Sequence, residues 1–99
     1  MELRAFRGSR RRSVYQGHGI ANDEYARIRA AAARHELPLL ASLVKGGELD
    51  KQDARRLADE LGALRGSLEL PDLDADLTAL ADVARWCSRA SGDAWLTVS

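Results

Sequence analysis

The chain has 99 residues, enough for one hydrophobic core and too few for a second, with 45% hydrophobic and 30% charged side chains. That balance excludes intrinsic disorder, and the lack of any apolar run near ~20 residues excludes a membrane-spanning helix. The net charge of zero hides a segregation: residues 1–35 carry eight Arg against three acids, a net of +5, while residues 36–99 carry seven bases against twelve acids, a net of −5.

Glu2 to Arg7 contains Leu3, Ala5 and Phe6 and ends at the turn signal Gly8-Ser9. Arg12 to Gln16 resumes with Val14 and Tyr15 before Gly17-His18-Gly19 is expected to break the chain, so the pattern predicts a two-stranded hairpin. Asn22 is expected to cap a first helix whose opening turn holds Asp23 and Glu24, with Tyr25, Ile28 and Ala32 at helical spacing. Pro38 separates it from a short helix carrying Leu39, Leu40, Leu43 and Val44, apolar over most of its circumference and therefore expected to be buried. Gly46 or Gly47 closes that helix, and Asp50 caps a long amphipathic one with Ala54, Leu57, Ala58, Leu61, Leu64 and Leu68 on one stripe.

Pro71 precedes a last helix, capped by Asp72 or Asp74, that is apolar over a wide arc through Leu73, Leu77, Leu80, Val83, Ala84, Trp86 and Cys87. After Ser91-Gly92-Asp93, the run Ala94-Trp95-Leu96-Thr97-Val98 is the best strand in the sequence. A hairpin alone is marginal in water, so this strand is expected to join it. The expected fold is one α+β domain. Three to four helices within 22–90 pack around a Leu37–Leu64 hub, on a small antiparallel sheet formed by the N- and C-terminal segments, residues 2–16 and 94–98. With five aromatics, the core must rest on Leu and Ala, so stability is expected to be modest or supported by self-association.

Catalytic and metal signals are weak. His18, His35 and Cys87 lie far apart in sequence and lack ligand spacing, and Cys87 sits on an apolar helix face where cysteine is usually a small core residue. Asp72, Asp74 and Asp76 open like a calcium loop, but the positions that would need Gly and Glu are Leu77 and Val83. Neither Gly17-His18-Gly19 nor Gly46-Gly47 continues as a phosphate-binding loop. No enzyme, cofactor or metal is expected. The single cysteine fits a reducing compartment, and Ser9-Arg10-Arg11-Arg12-Ser13 lacks the apolar region an export signal needs, so a cytoplasmic location is expected.

Two binding surfaces remain. Asp59, Glu60, Asp72, Asp74, Asp76 and Asp82 would form an acidic face along the last two helices that docks a basic protein partner and speeds its capture. Local pairs such as Asp82 with Arg85 and Arg56 with Glu60 are expected on the same helices. The alternative is nucleic-acid binding by Arg4, Arg7, Arg10, Arg11 and Arg12 of the hairpin. Leu39 to Leu61 adds helix-turn-helix proportions, with Lys51, Gln52, Arg55 and Arg56 on the second helix.

The stretches Leu37-Pro38-Leu39-Leu40, Leu57-Ala58-Asp59-Glu60-Leu61, the spaced Leu77, Leu80 and Trp86, and the closing Trp95-Leu96-Thr97-Val98 resemble small uncharacterised bacterial proteins. Some of these are suspected immunity proteins of polymorphic toxin systems. That resemblance implies a non-enzymatic partner binder and assigns no functional residues.

Overall fold

A computed structural model describes residues 1–8 and 14–99. The elements run β1 (Glu2–Arg7), β2 (Val14–Gly19), α1 (Asn22–Arg34), α2 (Pro38–Ala41), β3 (Glu48–Leu49), α3 (Lys51–Gly66), α4 (Asp74–Arg89) and β4 (Ala94–Val98), with a 3-10 turn at Pro71–Leu73. The four strands form one antiparallel sheet in the order β2-β1-β4-β3. This is the expected α+β arrangement, with the two chain ends paired at its centre. No helix among the described residues is long and apolar enough to cross a membrane.

Alternation along the strands decides which face is covered. Leu3 and Ala5 of β1 and Ala94, Leu96 and Val98 of β4 are buried and form one floor of the core. Above that floor lie Leu57, Leu61 and Leu64 of α3 and Leu77, Leu80 and Val83 of α4, while Ile28 of α1 and Leu40 of α2 close the side. The radius of gyration, 12.7 Å, is that of one domain of this length, for which about 13 Å is usual.

Local chemistry explains most of the boundaries. Asp50 caps α3, its Oδ1 accepting from the Asp53 N–H at 2.8 Å. Lys51 Nζ donates to the carbonyl oxygens of Ala90 (2.6 Å) and Gly92 (3.1 Å), tying the start of α3 to the turn after α4. Gly46 and Gly92 adopt φ of +90° and +74°, the left-handed region that glycine enters without steric cost, in the turns that feed β3 and β4.

Several expectations are corrected. Asn22 is not the cap of α1: Ala21 holds that position, Glu24 Oε1 accepts from the Ala21 N–H at 2.9 Å, and the Asn22 side chain instead accepts from Lys45 Nζ at 2.6 Å. Gly17-His18-Gly19 does not break the chain but continues β2, because its backbone pairs with Glu2, Leu3 and Arg4. The hub's first helix is a single turn, and Val44 is 56% exposed rather than buried. A two-residue strand, β3, follows where only a turn was expected. That strand lies between α2 and α3 and removes the helix-turn-helix geometry. Leu68 leaves the α3 stripe and is 76% exposed. Neither Asp72 nor Asp74 caps α4, because the 3-10 turn leads into it and both carboxylates reach other helices.

Candidate functional site

Five of the six acidic side chains are drawn into the chain's own contacts. Asp72 is held by Arg27 of α1 through two hydrogen bonds of 2.8 and 3.0 Å, and Asp74 by Arg65 of α3 at 2.6 and 3.3 Å. Each guanidinium keeps its carboxyl below the usual aspartate range. Asp76 Oδ1 lies 2.8 Å from His18 Nε2 of β2, and Asp82 pairs with Arg85 at 3.0 Å as expected. Arg56 does not pair with Glu60. It reaches Asp53 at 3.7 Å, while Glu60 turns inward and accepts from the Leu40 N–H at 2.8 Å and the Leu39 N–H at 3.3 Å. The Glu60 carboxylate thereby caps α2 from a neighbouring helix. Asp59 alone of the six makes no ion pair or hydrogen bond among the described residues. The acids are thus interleaved with Arg27, Arg65, Arg85 and His18.

The arginines divide differently. Arg10, Arg11 and Arg12 lie outside the described residues. Arg4 holds Glu2 by two hydrogen bonds of 2.7 and 3.2 Å and lies over the Tyr15 ring, 5.7 Å from its centre. Arg7 lies 6.0 Å over the ring of Trp86. No group of three or more His, Cys, Asp or Glu among the described residues could hold a metal, and Cys87 is buried in the core.

The most organised surface is the sheet face opposite the helices. Phe6 stands directly across from Tyr15 on β2 and from Trp95 on β4, and residues paired in this way share a face. Since Leu3 and Ala5 point into the core, Phe6 and its two partners point away from it. The ring centres are 5.9 Å apart for Phe6–Tyr15 and 5.6 Å for Phe6–Trp95, the latter pair nearly parallel at 13°. Three of the five aromatics thus form a row across three strands. Tyr15 is 54% exposed, and Phe6 and Trp95 are half-buried.

Glycine and a charged clamp hold the end of this row. A Cβ on Gly17 would lie 2.8 Å from the Tyr15 hydroxyl and 2.9 Å from the Leu3 carbonyl oxygen, so only glycine lets the tyrosine lie along β2. The Tyr15 hydroxyl donates to Glu2 Oε1, beside Arg4. Hydrogen bonds from Arg4 and then Tyr15 lower the Glu2 carboxyl to about 2, and the same contact raises the Tyr15 phenol. Sequence reasoning missed this row. The signal was the alternation of Leu3 and Ala5 against Phe6, which becomes informative once the register to Tyr15 and Trp95 is known.

No family model matches the chain, and no similar curated protein or solved structure was found.

Proposed function

We propose that this chain is a non-catalytic cytoplasmic binding module that holds single-stranded nucleic acid on the outer face of its sheet. The observation that carries the reading is the Tyr15–Phe6–Trp95 row on the sheet face opposite the helices, and the first 19 residues of the sequence carry five arginines against one acid. Rings on a sheet backed by helices accept unstacked bases, because every base offers a π-face whatever its sequence. Arginines at the hairpin neutralise the phosphates that such a strand brings with it. Aromatic stacking without base-edge readout gives a binder tolerant of sequence.

The competing reading is docking of a basic protein, in the manner of an immunity protein, through Asp59, Asp72, Asp74, Asp76 and Asp82. Those carboxylates, Asp59 excepted, would first have to release cations of their own chain. Fluorescence anisotropy with a labelled oligothymidylate separates the two. Tyr15→Ala should weaken binding by about 1–3 kcal/mol, the usual worth of one stacked base. Replacing Arg10, Arg11 and Arg12 by Ala should flatten the salt dependence. An Asp72→Asn, Asp74→Asn, Asp76→Asn variant should bind the oligonucleotide at least as well as wild type. Wild-type protein that ignores the oligonucleotide, but captures a basic protein in a way those three substitutions slow, would overturn the proposal in favour of the acidic face.

A further inference from the structure

Three cations that hold no carboxylate or carbonyl among the described residues converge on the C-terminal half of α4, one of them, Arg7, resting over the Trp86 ring. An open groove of about 550 Å³ runs between α4 and the β1–β2 side of the sheet, lined by Arg7, Gln16, Asp82, Arg85, Trp86 and Arg89 among others. On the other flank of α4 lies a second groove of about 360 Å³, lined by Arg55, Ala58, Asp59, Arg85, Ser88 and Arg89. The two share Arg85 and Arg89, so that part of α4 is a ridge with arginine on both sides.

Arg7, Arg55 and Arg89 are the arginines that make no ion pair or hydrogen bond among the described residues. Every other described arginine holds a carboxylate or, for Arg29, the Ala41 carbonyl. Arg89 by itself complements the C-terminal end of the α4 dipole. That effect fades within a turn and does not account for Arg7 on β1 or Arg55 on α3. Three elements far apart in sequence bring guanidinium groups without an acidic partner among the described residues to one ridge, and the acids beside them are Asp59 and Asp82, the latter already held by Arg85.

We propose that this ridge is a track for consecutive phosphate groups, with Arg7 and Arg89 serving the first groove and Arg55 and Arg89 the second. Planar guanidinium groups bind phosphate oxygens in pairs, and Gln16 adds a neutral donor along the wall of the first groove. The phosphates belong to a phosphodiester strand or to inorganic polyphosphate. As the continuation of a strand leaving the aromatic row the track rests on the function proposed above, whereas polyphosphate binding would stand without it.

The test measures binding of labelled oligothymidylate and of inorganic polyphosphate to full-length wild type, Arg55→Ala/Arg89→Ala and Tyr15→Ala. The substituted arginines are exposed, and an unchanged thermal midpoint confirms folding. Arg55→Ala/Arg89→Ala should weaken polyphosphate binding roughly tenfold, and its salt slope with the oligonucleotide should fall by about 1.4, the loss of two phosphate contacts on a single strand. Tyr15→Ala should weaken the oligonucleotide and leave polyphosphate untouched. Polyphosphate lost by the double variant with no oligonucleotide bound by any protein would support the track and sink the stacking proposal. Wild-type affinity and slope in the double variant for both ligands, or no wild-type binding of either, would overturn the track.

Discussion

Gly17 and Gly62 turn the same substitution in opposite directions. At Gly17 the added methyl would sit 2.8 Å from the Tyr15 hydroxyl and 2.9 Å from the Leu3 carbonyl oxygen, both inside van der Waals contact. The tyrosine can swing away, losing its bond to Glu2 and its contact with Arg4. The Leu3 carbonyl cannot, since Leu3 belongs to β1, which is paired on both sides by β2 and β4. Overpacking of this kind costs about 1–3 kcal/mol. For a domain of this size each kcal/mol moves the midpoint by about 4–8 °C. Gly17→Ala should therefore melt ~5–20 °C lower. At Gly62, in the interior of α3, a Cβ meets nothing within 4 Å. Alanine there removes unfolded-state entropy and should stabilise by about 0.5–1 kcal/mol. Thermal melts followed by circular dichroism read both, and Gly17→Ala should also weaken oligonucleotide binding because it displaces Tyr15. A Gly17→Ala protein as stable as wild type would refute the close packing of Tyr15 along β2.

Glu60→Ala removes the carboxylate that holds the Leu39 and Leu40 N–H groups. It should cost about 1.5–3 kcal/mol in denaturant melts, whereas a purely solvent-facing acid would cost almost nothing. Leu68 follows α3 with φ of 59° and its side chain exposed, a left-handed position that costs a non-glycine residue about 1 kcal/mol or more. Leu68→Gly should consequently leave stability unchanged or raise it by up to ~1 kcal/mol, and a clear loss would show that the leucine packs usefully. Glu2, Glu69, Asp72 and Asp74 have carboxyls lowered by their Arg partners, so they favour the folded state above the ordinary carboxylate range and lose that effect as pH falls through their folded values. The midpoint should decline as pH falls from the ordinary carboxylate value of 4.5 toward the Glu2 value of about 2, less steeply in high salt. A midpoint that holds through that window would contradict the pairings.

What the sequence made legible was local. Asp50 is one turn from the N–H it caps, and Trp95, Leu96 and Val98 alternate within their own strand, so both could be read without the fold. The acid–base pairs could not. Asp76 finds His18 across 58 positions, Asp72 finds Arg27 across 45, and Glu69 finds Arg34 across 35, so the segregated charge of the two halves folds onto itself. Strand β3 has only two residues and takes its pairing from β4 rather than from propensity. The aromatic row needed the register, since Phe6, Tyr15 and Trp95 carry no shared spacing in the chain. Arg55 and Arg89 likewise gain meaning only from the grooves they line and from holding no acid among the described residues.

The central claim is that bases stack on the outer sheet face, and Trp95 is its reporter. A Trp86→Phe background leaves Trp95 as the sole tryptophan of the chain. Titrating that protein with oligothymidylate at about 50 and 200 mM salt should quench the Trp95 emission to saturation at the lower salt and bind markedly more weakly at the higher. Emission that stays unchanged while the oligonucleotide binds would place the strand elsewhere on the protein, and no binding at the lower salt would contradict the account outright.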